Sequence, residues 1–225
     1  MICDSKGNLT QLPRGLNYLM PLKVTIVDYG TGNINSVKKC LDRIGISSIV
    51  SSDIKEIITA DKIVLPGVGH FKKAMSNLRE LNLLDALNHA VLIDLKPVLG
   101  ICLGMELMGR ESEEGNAKGL GWFDAKIVRF RPSETNKYKV PHTGWNQIRI
   151  RKNSPLMKNV PELSEFYFVH SYHLKIEDES DLLNETEYEI VFPSAVEKGN
   201  IFGVQYHPEK SHDVGIQLLR NFIKM

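Results

Sequence analysis

The chain has 225 residues, 42% of them hydrophobic and 24% charged, with a net charge of +1 at neutral pH. That suits one sizeable globular domain, and the near-neutral balance leaves no electrostatic footprint for nucleic acid or an anionic membrane. The 3 cysteines are scattered without C-x-x-C spacing, which argues against a disulfide framework and a zinc site and fits a reducing, cytoplasmic compartment; no apolar run approaches the ~20 residues of a membrane span.

Residues 1–19 mix Asp4, Lys6, Gln11, Pro13 and Arg14 without periodicity and lack the apolar centre of a secretory signal. They read as a disordered extension, leaving one domain over 20–225. Lys23 to Val27 is a buried-type strand. Asp28-Tyr-Gly-Thr-Gly-Asn33 turns it into a helix with Val37, Leu41 and Ile44 on one face and Cys40 as a packing residue beside them. The glycines of that turn lack the G-x-G-x-x-G pattern of a dinucleotide site. Ser47–Ser51 reads as a second strand, Asp53–Thr59 as a short helix and Lys62–Leu65 as a third strand. Such alternation predicts an α/β fold in three layers, a mostly parallel open sheet with helices on both faces. Pro66-Gly-Val-Gly69 follows the third strand, and ligands of open parallel sheets bind beyond the carboxyl ends of the strands. Helices are expected over His70–Arg79 and Leu81–Leu95, with His89 as a surface or structural residue.

Pro97-Val-Leu-Gly-Ile-Cys-Leu-Gly-Met-Glu106 is the stretch with the clearest chemistry. An apolar strand, Val98–Ile101, meets Cys102, and a helix starts at Leu103. This is the pattern of a nucleophile elbow, with Cys in the place of Ser. Gly100 and Gly104 leave room for the turn. The free N–H groups of the helix start are expected to favour the thiolate. A lone Cys after a strand is ordinarily a small core residue, so the reading needs a base.

Arg110-Glu-Ser-Glu-Glu-Gly115 is a polar loop, Ala125–Phe130 a strand, and Phe166–His170 a strand leading into Ser171-Tyr-His173. Glu177–Glu189 is acidic, without pattern, and reads as a loop. Glu189–Glu197 and Ile201–Tyr206 form a hairpin around Lys198-Gly-Asn200. Strands after about Lys126 are expected to extend the one sheet in antiparallel fashion. A helix over Gly215–Phe222 closes the chain. His207 sits at a strand end, Pro208 stops the strand, and Glu209 is placed to reach back to the imidazole. Cys102, His207 and Glu209 therefore fit a base-activated nucleophile. His170 and His173 compete for the base; only His207 has the strand-end position and the following Pro-Glu. His142 reads as structural or interfacial.

Seven segments occur in one order: Val27-Asp-Tyr-Gly-Thr-Gly-Asn33, Leu65-Pro-Gly-Val-Gly69, Gly100-Ile-Cys-Leu-Gly104, Ser112-Glu-Glu-Gly115, Lys139-Val-Pro-His-Thr-Gly-Trp-Asn146, Phe168-Val-His-Ser-Tyr172 and His207-Pro-Glu-Lys210. On them, Val24 to Lys224 resembles the class I (triad) glutamine amidotransferases, above all the glutaminase subunits of imidazole glycerol phosphate synthase.

The resemblance implies hydrolysis of L-glutamine through a Cys102–His207–Glu209 triad, with no metal or redox cofactor. It implies an oxyanion hole from the backbone N–H of Val68 or Gly69 and of Leu103. It places the substrate α-ammonium at Glu114, the α-carboxylate at Ser171 and Tyr172, and the substrate near Glu106. Trp145 and Asn146 would face a partner at the mouth of an ammonia path. The implied partner is a β/α-barrel cyclase in a heterodimer of histidine biosynthesis. Gly121-Trp-Phe-Asp124 and His207-Pro-Glu-Lys-Ser-His212 look closer to paralogues of surface-polysaccharide clusters, in which the same glutaminase step would feed a sugar amidotransferase. A non-catalytic partner-binding subunit is the alternative from another class. Glu106 stands where the family usually has Gln. A carboxylate there should raise the Cys102 pKa and weaken glutamine binding, unless Arg110 or the substrate ammonium pairs with it.

Overall fold

A computed structural model of the chain describes residues 22–225 and, as a backbone pairing alone, Ile2–Cys3 against Leu9–Thr10. The extension expected over 1–19 otherwise lies outside the described residues. The first half follows the sequence pattern. Strands β1 (Val24–Val27), β2 (Ser48–Ser51), β3 (Lys62–Gly67) and β4 (Val98–Cys102) pair in parallel in the order β4-β3-β1-β2. Helices α1 (Ile34–Arg43), α2 (Ile54–Ile58), α3 (Phe71–Glu80) and α4 (Leu83–Asn88) lie between them. Asp53 caps α2, its carboxylate accepting from the Lys55 N–H at 2.8 Å. The helix expected over Leu81–Leu95 is shorter: α4 passes into one π-type turn, His89–Ile93.

Helix α5 (Leu103–Leu107) starts directly from β4. Then come β5 (Glu111–Ser112), β6 (Ala117–Lys118), β7 (Ala125–Arg129), β8 (His142–Gln147), β9 (Arg149–Ile150), β10 (Glu165–His170), β11 (Tyr172–Ile176), β12 (Leu182–Tyr188), β13 (Ile190–Lys198), β14 (Ile201–Val204) and α6 (His212–Lys224). The main sheet has 8 strands in the order β9-β12-β13-β14-β4-β3-β1-β2. β14 runs parallel to β4, and β13, β12 and β9 continue antiparallel. The β13–β14 hairpin turns at Gly199 and Asn200, as expected, with Gly199 at φ +58°.

Only part of the later chain extends this sheet. β11-β7-β5-β6 is a separate four-stranded sheet, and β8 pairs with β10 alone. Packing separates them: Phe166 and Phe168 of β10 join the core shared with α1 and α6, whereas Leu174 of β11 joins the core on the other face. The chain changes sides at Ser171, which alternation within either strand cannot reveal. The stretch expected as an acidic loop contains β12. Its inward residues Asn184 and Thr186 are polar but paired, to the Tyr206 hydroxyl at 2.9 Å and the Ser194 hydroxyl at 2.8 Å, so they hid the strand signal.

Two cores flank the main sheet. Ile26, Val64 and Leu99 face α1 and α6; Val27, Ile63 and Leu65 face α3 and α4. No helix among the described residues is long and apolar enough to cross a membrane.

Candidate active site

Cys102 stands at the corner between β4 and α5 with φ +53° and ψ −114°, a conformation an L-residue adopts only where its surroundings impose it. The imposition is visible at Gly104, where a Cβ would lie 1.7 Å from the Leu65 carbonyl oxygen. Helix α5 therefore starts hard against β3, and the Cys102 side chain turns out of the sheet. Its thiol donates to the Val169 carbonyl at 3.9 Å, and its sulfur accepts from the Gln205 amide at 3.8 Å. Burial pushes the Cys102 thiol up from its ordinary pKa, and the carboxyls of Glu106 and Glu209 push the same way. The Leu103 N–H and the Gln205 amide act in the opposite sense without offsetting it. The helix start favours the thiolate through the Leu103 N–H, as expected, but burial and the neighbouring carboxyls outweigh it.

His207 comes from the far end of the chain. Val204 of β14 lies opposite Ile101 of β4, so the segment Gln205–His207 emerges beside Cys102. Strand β10 bounds both: Tyr167 O accepts from the His207 N–H at 2.9 Å, and Val169 O, two residues on, accepts from Cys102. Nδ1 of His207 meets Oε1 of Glu209 at 2.8 Å, with both side chains buried. A carboxylate accepts only, so Nδ1 carries the proton and Nε2 has the free lone pair. That Nε2 is buried and has no hydrogen-bond partner among the described residues. The Ser211 hydroxyl donates to the His207 carbonyl at 2.6 Å and fixes the backbone there.

The competing histidines are otherwise engaged. His170 Nδ1 donates to the Tyr172 carbonyl at 2.6 Å, and its Nε2 faces His142 Nδ1 at 3.0 Å. His173 Nδ1 donates to the Leu174 carbonyl at 3.0 Å. Burial holds the pKa of all three below the usual imidazole range, that of His142 at about 4.

A cavity of about 370 Å³ opens at the elbow. Its walls include Val68, Gly69, Leu103, Glu106, Glu114, Ser171 and Tyr172, together with Cys102 and His170. All the residues expected at the oxyanion and substrate positions thus border one space. Glu114 is held at the start of α3, its Oε2 accepting from the Phe71 N–H at 2.6 Å. Arg110, one of the two cations that could have offset Glu106, bonds Asp124 at 2.7 Å instead. Glu106 accepts from the Gln205 amide at 2.9 Å. Trp145 lies outside this cavity, exposed and stacked on His212 at 4.9 Å. Asn146 donates to the Glu187 carbonyl at 2.9 Å.

The glutamine amidotransferase class-I family model matches residues 25–225. The chain belongs to this family. Among its relatives, "Imidazole glycerol phosphate synthase subunit HisH 2" of Methanococcus maripaludis is 50% identical over 201 residues, 89% of this chain and 98% of that protein. The protein of the same name from Pseudomonas aeruginosa is 44% identical over 90% of this chain and 99% of its own length. "Imidazole glycerol phosphate synthase subunit HisH" of Bacillus velezensis is 46% identical over 90% of this chain and 96% of its own. A chain in the structure of PurLQS from Thermotoga maritima has the same fold, with a TM-score of 0.66 at 16% identity over 91% of this chain and 99% of that one.

Sequence reasoning about this amidotransferase missed Gln205, which touches both Cys102 and Glu106. Its signal was available: a parallel neighbour of the elbow strand puts its last residues beside the nucleophile. Val169 acts through its carbonyl, and a main-chain contact leaves no mark in residue type.

Proposed function

We propose that this chain is the glutaminase subunit of an imidazole glycerol phosphate synthase, hydrolysing L-glutamine to glutamate and passing ammonia to a cyclase partner. The names and high coverage of the relatives support the assignment. One observation carries the chemistry: His207, tied to Glu209 at 2.8 Å, follows the strand that pairs in parallel with the Cys102 strand.

In this reading His207 Nε2 takes the Cys102 proton, and the sulfur attacks the side-chain carbonyl of glutamine. Burial raises the thiol pKa, which makes proton removal by the neighbouring imidazole the step that generates the nucleophile. The N–H groups of Val68 or Gly69 and of Leu103 hold the oxyanion, each such donor contributing roughly 3–4 kcal/mol. Protonated His207 returns its proton to departing ammonia. Water then attacks the thioester with His207 as base, and glutamate leaves. Glu114 meets the substrate ammonium, and the backbone at Ser171 and Tyr172 meets its carboxylate.

The catalytic domain is taken as residues 20–225, with 1–19 outside it. The barrel cyclase is proposed to dock over the rim that holds Trp145 and Asn146. Ammonia released into water would be protonated and lost as a nucleophile, so direct transfer requires that contact.

The test mixes this chain with the cyclase and its nucleotide substrate, then follows glutamate release and ammonia incorporation. Glutamine-dependent product and glutamate in equal amounts are expected. Glutamate release without transfer to the cyclase, but with transfer to a sugar amidotransferase, would replace the acceptor and keep the glutaminase. No glutamate release with either partner would reduce the chain to a binding subunit.

A further inference from the structure

The cavity at Cys102 is unusual in its charges. Glu106 and Glu114 line it, and among the described residues no lysine or arginine does. Glu114 is held by a helix-start N–H, but Glu106 is deeply buried with one neutral donor, the Gln205 amide at 2.9 Å. That same amide nitrogen lies 3.8 Å from the Cys102 sulfur. A single side chain therefore joins the buried carboxyl to the nucleophile.

Among the described residues, the surroundings of Glu106 offer no compensating lysine or arginine. From the end of β4 it faces Cys102, from the segment after β14 Gln205, from the loop after β5 Glu114, and from the turn after β1 Tyr29. In β3 the lysine, Lys62, lies at the opposite end of the strand. From α3, Lys72 and Lys73 are exposed at the surface. A carboxylate buried with one neutral hydrogen bond and like charges nearby is strongly disfavoured. Burial accordingly moves Glu106 up to about 8, with Glu114 adding to the shift.

We propose that Glu106 works as a neutral carboxylic acid, a positioning residue that acts on Cys102 through Gln205, and that loss of its proton to solvent switches the nucleophile off. Neutral, Glu106 offers an acceptor to Gln205 and an O–H to the cavity, much as an amide would. Ionised, it places a negative charge where the thiolate must form. Activity then falls on the alkaline side, although thiolate formation alone would make it rise with pH. The inference rests on Cys102 being the nucleophile.

The experiment compares the wild-type protein with Glu106→Gln and Glu106→Asp. It measures the rate of Cys102 alkylation by iodoacetamide against pH, read by mass spectrometry, together with kcat/KM for glutamine. In Glu106→Gln the alkylation rate should match the wild type where Glu106 is neutral and exceed it by roughly tenfold above about pH 8, where Glu106 is ionised. The alkaline fall in kcat/KM should disappear in Glu106→Gln and persist in Glu106→Asp. An infrared carboxyl band lost on raising the pH of the wild type, and absent from Glu106→Gln, would identify the proton directly. Superimposable alkylation profiles in wild type and Glu106→Gln would overturn the proposal, and so would a wild type without that band. Full turnover by Cys102→Ser would instead sink the nucleophile reading, whatever the alkylation profiles do.

Discussion

Two buried histidine sites border strand β10, and they differ in what each ring nitrogen has left to do. Just after β14, His207 has its Nδ1 taken by Glu209 and its Nε2 unpartnered among the described residues. A few residues away, His142 and His170 lie in an aromatic cluster with Phe130, Phe168, Tyr188 and Phe192. There a one-way chain runs from the Asn146 amide to His142 Nε2 (3.3 Å), from His142 Nδ1 to His170 Nε2 (3.0 Å), and from His170 Nδ1 to the Tyr172 carbonyl (2.6 Å). The terminal carbonyl can only accept, so it fixes both tautomers. Burial is common to both sites. The carboxylate and the open lone pair belong to His207 alone, and they separate a base from a strut.

The largest effects should fall on Cys102 and His207. Cys102→Ala and His207→Asn are each expected to lower glutaminase kcat by on the order of 10⁴-fold or more, because the two side chains act as a unit. His170→Asn should change kcat by less than about tenfold, with its main effect in KM through the Tyr172 wall. Steady-state glutamate release decides this. A loss in His170→Asn as deep as in His207→Asn would erase the distinction. Glu209→Gln should cost on the order of 10²- to 10⁴-fold in kcat, since an amide donating to Nδ1 reverses the tautomer. A variant within roughly threefold of wild type would deny Glu209 that role.

Smaller effects concern stability. Gly104→Ala should destabilise by roughly 1–3 kcal/mol or more in urea unfolding, because the added methyl meets the Leu65 carbonyl oxygen. An unchanged midpoint would mean that the elbow is less tightly packed than its geometry implies. The strut histidines should give the acid limb of the stability profile. Their folded pKa values are depressed, that of His142 to about 4, so the unfolded chain binds more protons below about 6.5. Their contribution is complete above about 6.5 and is lost as pH falls toward the folded value. Urea midpoints should decline across that window and decline less in His142→Asn. Parallel profiles would assign the acid sensitivity elsewhere.

The same contrast explains how much was legible in the sequence. Cys102, His207 and Glu209 declare themselves by residue type at punctuated positions: a strand end, a Gly-flanked corner, a Pro that stops a strand. The parallel half was readable because each buried strand is a continuous apolar run with a helix after it. Strand β12 was not, because its inward Asn184 and Thr186 are satisfied by side chains from β13 and the segment after β14. The separate pairing of β8 with β10 was hidden too, since register between strands far apart in sequence depends on which core each face joins. The environment of Glu106 lay furthest from view. Residue type flagged a misplaced charge, but only the fold shows that Arg110 turns to Asp124 and leaves Gln205 as its partner.

The most direct test of the meeting of Cys102 and His207 is covalent labelling with a chloroketone analogue of glutamine, followed by peptide mapping of the wild type, Cys102→Ser and His207→Asn. One adduct on Cys102, protected by glutamine, absent from Cys102→Ser and much slowed in His207→Asn, is the expected result. Labelling of Cys40 instead, or undiminished labelling of Cys102 without His207, would contradict it.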